Sequence, residues 1–194
     1  MRHDPITIAW LVWLVVWIGA AFRVKRVARR ESTASRAAFW MPLLVGAVLL
    51  IMNRPDDWLG ATVYPLPFVP RYYTGLALVI AGIVFSIWAR VHLGGNWSGS
   101  VTVKAGHELI RTGPYRFVRH PIYTGLLCSI LGTAIAEDQW RALLALVIIG
   151  LAVWRKWRVE ERFMEETFGD AYRSYRQDVP AIIPGPHHRP SPSP

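Results

Sequence analysis

Two groups of side chains in this sequence have the types and spacing to do chemistry. The first lies in residues 111–125, RTGPYRFVRHPIYTG, which hold Arg111, Arg116, Arg119 and His120, the turn formers Gly113 and Pro114, and Tyr115 and Tyr123. The second is the adjacent carboxylate pair Glu160 and Glu161, with Arg155 and Lys156 about one helical turn earlier. Pro121 can open a helix at its first turn. The free N–H groups of that turn would then sit beside Arg119 and His120, a setting suited to a carboxylate or a phosphate. Tyr115 and Tyr123 offer ring faces to a cation. The local chemistry therefore suits a ligand with one anionic group and one cationic, partly apolar group. S-adenosylmethionine is such a ligand, with carboxylate, ammonium, sulfonium and adenine.

The elements that must position these groups are apolar. Of 194 residues, 53% are hydrophobic and only 18% are charged, against roughly 25% in an average soluble domain. Uncharged or nearly uncharged runs cover residues 6–22, 37–52, 72–89, 122–136 and 142–154. A membrane-spanning helix needs about 20 mostly apolar residues. The first and third runs meet that length, and the second does with its flanks. The fourth and fifth are shorter and suit a tilted hairpin around the EDQWR turn, residues 137–141. Uncharged runs of this length are hard to place in so small a soluble core. The first run is not read as a cleaved signal: its leading MRHDP is barely basic, and RVKRVARR follows as a stop-transfer pattern. The expected fold class is all-α, a polytopic transmembrane helical protein of about five spans. Cytoplasmic cofactor-binding segments belong to its C-terminal half.

Charge placement sets the expected orientation. Of the 22 Lys and Arg residues, 18 fall in the connection after the first run, the connection after the third and the C-terminal part. Basic residues stay on the cytoplasmic side. The N-terminus is therefore expected outside and the C-terminus inside, with residues 111–121 cytoplasmic. The +9 net charge then needs no nucleic acid to explain it. Cys128 is the only cysteine, so no internal disulfide or Cys-based metal site is expected, and its role is packing. No metal centre is expected, and His187 and His188 lie in a Pro-rich tail of the composition that stays disordered. The expected division is residues 1–89 as N-terminal transmembrane helices, 90–184 as a catalytic region with the last two spans, and 185–194 as a tail.

Both groups also have plainer readings. Arg111, Arg116 and Arg119 could serve only as topology anchors or contacts to anionic lipid. The stretch from Glu160, with Met164, Phe168, Tyr172 and Tyr175 at helical spacing and a break at Gly169, could be an amphipathic helix on the membrane surface.

GPYRFVRHPIYTG, followed some 35 residues later by EERFMEETFGDAYRSYRQDVPAIIP, resembles the isoprenylcysteine carboxyl methyltransferase family of integral membrane enzymes, with related signatures in membrane phospholipid N-methyltransferases. The likeness covers residues 90–184. It implies that Tyr115, Arg119, His120, Pro121, Tyr123 and Gly125 belong to the cofactor motif, and that Glu160 and Glu161 are the acidic pair. It also implies a basic residue about one turn before that pair, a place open to Arg155 or Lys156. Arg155, Glu160 and Glu161 are the catalytic candidates.

The resemblance implies an S-adenosylmethionine-dependent methyltransferase acting on a lipophilic or prenylated acceptor, and the expected location is multi-pass in a bacterial inner membrane. A carboxylate nucleophile needs a cation to hold it, for which Arg155 stands. An amine nucleophile needs a proton acceptor, for which Glu160 or Glu161 stands. Arg119 and His120 would take the cofactor carboxylate. Two other classes remain at this point. Membrane sterol reductases share an R-H-P-x-Y-x-G stretch but use NADPH, and a non-catalytic membrane scaffold would keep the basic rim for lipid alone.

Overall fold

The computed structural model describes residues 4–21, 27–30, 32–52, 57–64, 67–94, 102–104 and 109–185. Among the described residues six α-helices make the body: α1 (Pro5–Ala21), α2 (Thr33–Ile51), α3 (Phe68–Leu93), α4 (Pro121–Glu137), α5 (Trp140–Phe168) and α6 (Asp170–Asp178). A 3-10 turn at Gly113–Arg116 precedes α4. The expected all-helical architecture gains one small addition. Strands β1 (Val27–Arg30) and β2 (Thr102–Lys104) pair antiparallel and tie the connection after α1 to the connection after α3. The tail residues His187 and His188 lie outside the described residues.

Helices α2 and α3, of 19 and 26 residues, are long and apolar enough to cross a bilayer, while α1 and α4 are shorter apolar helices. Helix α5 differs from expectation. The fifth apolar run and the acidic stretch after it form one continuous helix of 29 residues, about 43 Å long at 1.5 Å per residue. The acidic pair therefore rides on a rigid extension of that run instead of starting a separate surface helix. The helix ends where Gly169 takes φ +53°, a conformation that costs glycine little. The boundary between residues 89 and 90 falls inside α3.

Small residues bring α3 and α4 together. Cβ atoms added at Gly75 or Gly82 would lie 2.4 Å from the carbonyl oxygens of Gly132 and Gly125, respectively. Close approach through such residues is the usual way apolar helices associate where lipid removes the hydrophobic drive. Ser129 Oγ adds a bond across the seam to the Val79 carbonyl at 3.2 Å.

The first helix is fastened onto this pair and the second onto α5. Trp10 and Trp13 of α1 donate through Nε1 to Thr133 Oγ1 at 3.1 Å and Ser86 Oγ at 3.0 Å. Arg90 of α3 donates to the Ala20 carbonyl at 2.5 Å, satisfying an orphan acceptor at the end of α1. Arg141 of α5 does the same for α2, donating to the Leu49 and Leu50 carbonyls at 2.8 Å each. Outward faces stay apolar and exposed, among them Val15 on α1, Leu44 on α2, Val84 on α3 and Leu151 on α5. This is the surface a lipid environment demands.

The expected turn between the fourth and fifth runs is present. Asp138 adopts the left-handed conformation, φ 54°. Its buried carboxylate accepts from the Tyr64 N–H at 2.8 Å, from the Val63 N–H at 3.3 Å and from Arg71.

Candidate functional site

The site forms where the start of α4 meets the extension of α5 and the chain that follows α6. Pro121 opens α4, as its residue type implies, so Arg119 and His120 sit just before the helix. The turn ahead of them is fixed from α3. Gly113 has φ +60°, and the His92 ring occupies the space a Cβ there would need, at 2.7 Å. His92 Nε2 is 2.9 Å from Thr112 Oγ1. Tyr115 is buried, and its carbonyl accepts from the Tyr175 hydroxyl at 2.5 Å.

The α5 extension places both carboxylates opposite His120. Arg119 donates to Glu161 Oε1 from Nε at 2.9 Å and from Nη2 at 2.5 Å. His120 Nε2 lies 3.4 Å from Glu161 Oε1, and its Nδ1 lies 3.6 Å from Glu160 Oε2. The Tyr123 hydroxyl donates to Glu160 Oε1 at 2.7 Å. The imidazole stacks against Tyr123 and Trp157, with ring centroids 5.8 and 6.4 Å away.

Electrostatics follow from this crowding. Burial pushes the Glu161 carboxyl up, but hydrogen bonds and charge from His120 and Arg119 outweigh burial and hold it down to about 2. Burial alone would lower His120. Its hydrogen bonds and attraction to Glu160 and Glu161 win, so the imidazole holds its proton above its ordinary range. The cluster is an imidazole biased toward its protonated form and a guanidinium facing two carboxylates, edged by phenol and indole rings.

Of the residues singled out in the sequence, Arg119, His120, Tyr123, Glu160 and Glu161 come together here. Others take different positions. Arg155 turns to α2, where its guanidinium reaches the Ser35 carbonyl at 3.3 Å and the Ser35 hydroxyl at 3.4 Å. Gly125 serves the α3–α4 seam: a Cβ there would lie 2.4 Å from the Gly82 carbonyl oxygen. Tyr115 is packed inside, near His92 at 6.4 Å between ring centroids. Pro121 is buried at the helix start.

The backbone just before the helix start is held by the chain itself. The Arg119 and His120 N–H groups donate to the carbonyls of Pro180 and Ala181, both at 2.9 Å. Sequence reasoning missed residues 179–182, which carry no chemistry in their side chains and act through backbone. It also missed Trp157, whose ring flanks His120; its position four residues before Glu161 on one helix face was the available signal.

A family profile described as phospholipid methyltransferase matches residues 70–171, which run from α3 through the cluster to the start of α6. The chain belongs to the phospholipid methyltransferase family. Within this family setting the chain is 27% identical to a protein-S-isoprenylcysteine O-methyltransferase of Schizosaccharomyces pombe, over 76% of this chain and 67% of that one. It is 33% identical to a probable protein-S-isoprenylcysteine O-methyltransferase of Oryza sativa subsp. indica, over 58% of this chain and 60% of the relative. A solved structure of a eukaryotic intramembrane isoprenylcysteine carboxyl methyltransferase aligns over 95% of this chain and 69% of its own, at 20% identity and a TM-score of 0.49. The resemblance read from the two sequence motifs is borne out by the family profile and the Schizosaccharomyces pombe and Oryza sativa relatives.

Proposed function

We propose that this chain is an integral membrane methyltransferase that moves a methyl group from S-adenosylmethionine to a lipophilic acceptor of the isoprenylcysteine carboxylate type. The observation that carries the reading is the cluster of His120, Tyr123, Glu160 and Glu161, built at one end of apolar helices. Its residues fit the cofactor. Two carboxylates and two ring faces suit an ammonium and a sulfonium. S-adenosylmethionine supplies an electrophilic methyl group when bound.

The chain's own contribution is positioning and exclusion of water, because methyl displacement disperses charge instead of creating it. Tyr123 and Trp157 both stack against His120, and Glu160 is fixed by the Tyr123 hydroxyl. A carboxylate acceptor needs a cation. Arg155 is committed to Ser35, whereas Lys156 lies one turn before Glu160 on the same face of α5. Lys156 is 2% exposed, with Nζ 5.3 Å from the Phe39 ring. The acceptor-holding cation is therefore assigned to Lys156 in preference to Arg155.

About five helices span the membrane in this reading, with the N-terminus outside and the cluster on the cytoplasmic side. The basic residues concentrated in the first and third connections and the C-terminal part support that orientation. The acceptor's chain enters from the bilayer and the cofactor from the cytoplasm. Cysteine-accessibility labelling of residues 111–117 should report cytoplasmic exposure, and labelling from outside would overturn the orientation.

The decisive assay incubates purified protein with labelled S-adenosylmethionine, a total lipid extract and a synthetic farnesylcysteine analogue, and identifies the labelled product. A methyl ester is expected. Label in a phospholipid amine would move the acceptor to a headgroup and make Glu160 a proton acceptor. No affinity of folded protein for S-adenosylmethionine would end the reading.

A further inference from the structure

The four consecutive carbonyls of residues 179–182 are all taken by the start of α4. Val179 accepts from Arg119 Nη1. Pro180 and Ala181 accept from the Arg119 and His120 N–H groups at 2.9 Å each. Ile182 accepts from Thr124 Oγ1 at 2.7 Å. This segment is a strap of backbone laid across the helix start, anchored upstream by buried Tyr172, Tyr175 and Val179 packed on Leu109, Met164 and Phe168.

Arg119 sits at the centre of the strap and has no edge turned to a ligand. Nε and Nη2 face Glu161. Nη1 serves the carbonyls of Arg176, at 3.1 Å, and Val179. A guanidinium has five N–H donors in a fixed fork, and here every nitrogen already has a protein acceptor. Its side chain is 8% exposed. Such a group does not reach for an external carboxylate without abandoning partners that would then be buried and unsatisfied.

We propose that Arg119 is a positioning residue and not a cofactor ligand: it locks the strap of residues 179–182 to Glu161 and thereby fixes His120 at the site. The proposal rests on the methyltransferase reading above. The His120 N–H is held by Ala181 and its ring by Tyr123 and Trp157, so the imidazole inherits its orientation from the strap. Thr124 is the independent handle, since its hydroxyl ties the strap one turn further along α4 and touches no member of the carboxylate pair in the bonds it makes here.

The test uses the full chain in detergent with Arg119→Lys, Thr124→Val and the double variant. Lysine keeps the charge and loses the fork, and valine keeps the branched shape of threonine and loses its hydroxyl. Cofactor affinity and KM are measured with S-adenosylmethionine, and hydrogen exchange is followed in a peptide covering Arg119 and His120. Each single variant should weaken cofactor binding, Arg119→Lys by roughly tenfold, the scale of one charge-assisted bond, and Thr124→Val by roughly threefold to tenfold, the scale of a neutral one, with kcat at saturation nearly unchanged. Each should speed exchange of those amides, and the double variant should fall short of the product of the singles. If Arg119→Lys abolishes binding while Thr124→Val leaves affinity and exchange untouched, Arg119 is a ligand and the proposal is wrong. If the unsubstituted chain binds no S-adenosylmethionine, the methyltransferase reading fails. The exchange data then decide the strap alone: faster exchange in both variants supports it, and unchanged exchange in either overturns it.

Discussion

Gly82 and Gly125 meet backbone to backbone across the seam of α3 and α4: a Cβ on either would lie 2.4 Å from the carbonyl oxygen of the other. The Gly75 and Gly132 contact repeats this seven residues away on each helix. Since α4 carries His120 at its start, this seam sets the height of the site relative to α3. Gly82→Ala and Gly125→Ala should each cost about 1–3 kcal/mol, the usual penalty for overpacking. Neighbouring sites couple, so the double variant should not be additive. Thermal unfolding in detergent checks this, and a neutral Gly125→Ala would remove the packing account of that glycine.

How much was legible in the sequence divides along physical lines. Pro121 as a helix opener, Gly169 as a helix stop and the turn near Asp138 were all readable, because each depends on local backbone preference. The meeting of Arg119, His120 and Tyr123 with Glu160 and Glu161 was anticipated by motif and is a contact across about 40 residues. The strap was not readable. Residues 179–182 contribute carbonyls, which every residue has, so no side-chain pattern marks them. The packing role of Gly125 was hidden for a related reason: a glycine that admits a neighbouring helix looks the same in sequence as one that admits a ligand. Nor could spacing choose between Arg155 and Lys156, since adjacent residues on a helix point about 100° apart and only the position of α2 separates them.

That separation predicts different outcomes for the two cations. Lys156→Met removes a buried ammonium in the core between α2 and α5. Removing one member of a buried interaction leaves the other uncompensated, so the fold should lose stability. The substitution should abolish methyl transfer to a carboxylate acceptor. Arg155→Met should lose the bonds to Ser35, costing about 1 kcal/mol, with activity reduced only modestly. Transfer rates beside unfolding midpoints for both variants distinguish the roles, and the reverse pattern would return the assignment to Arg155.

At the far end of the helices, Asp138 predicts a purely structural effect. Its carboxylate is buried and holds Arg71 together with two backbone N–H groups. Asparagine tolerates the left-handed backbone conformation at this position, so Asp138→Asn isolates the charge. It should destabilise the chain by roughly 3–5 kcal/mol by leaving Arg71 without its counter-charge. Cofactor affinity measured below the unfolding transition should stay at the level of the unsubstituted chain.

The cluster also predicts how stability responds to pH. Glu161 titrates near 2 in the folded chain against 4.5 for its ordinary value. Its contribution to stability is therefore complete above about 4.5 and is lost as pH falls from there toward 2. His120 is shifted the other way, above its ordinary 6.5. Its contribution is complete below 6.5 and is lost as pH rises through the folded value. Unfolding midpoints measured across pH should thus fall off on both sides of a plateau. Glu161→Gln removes the acid arm directly. It also removes one of the carboxylates that raise His120, so the imidazole pKa moves down toward the value burial alone would set. The alkaline arm of the variant should therefore begin at lower pH than in the unsubstituted chain, and an alkaline arm that stays in place would show that Glu161 does not hold the His120 proton.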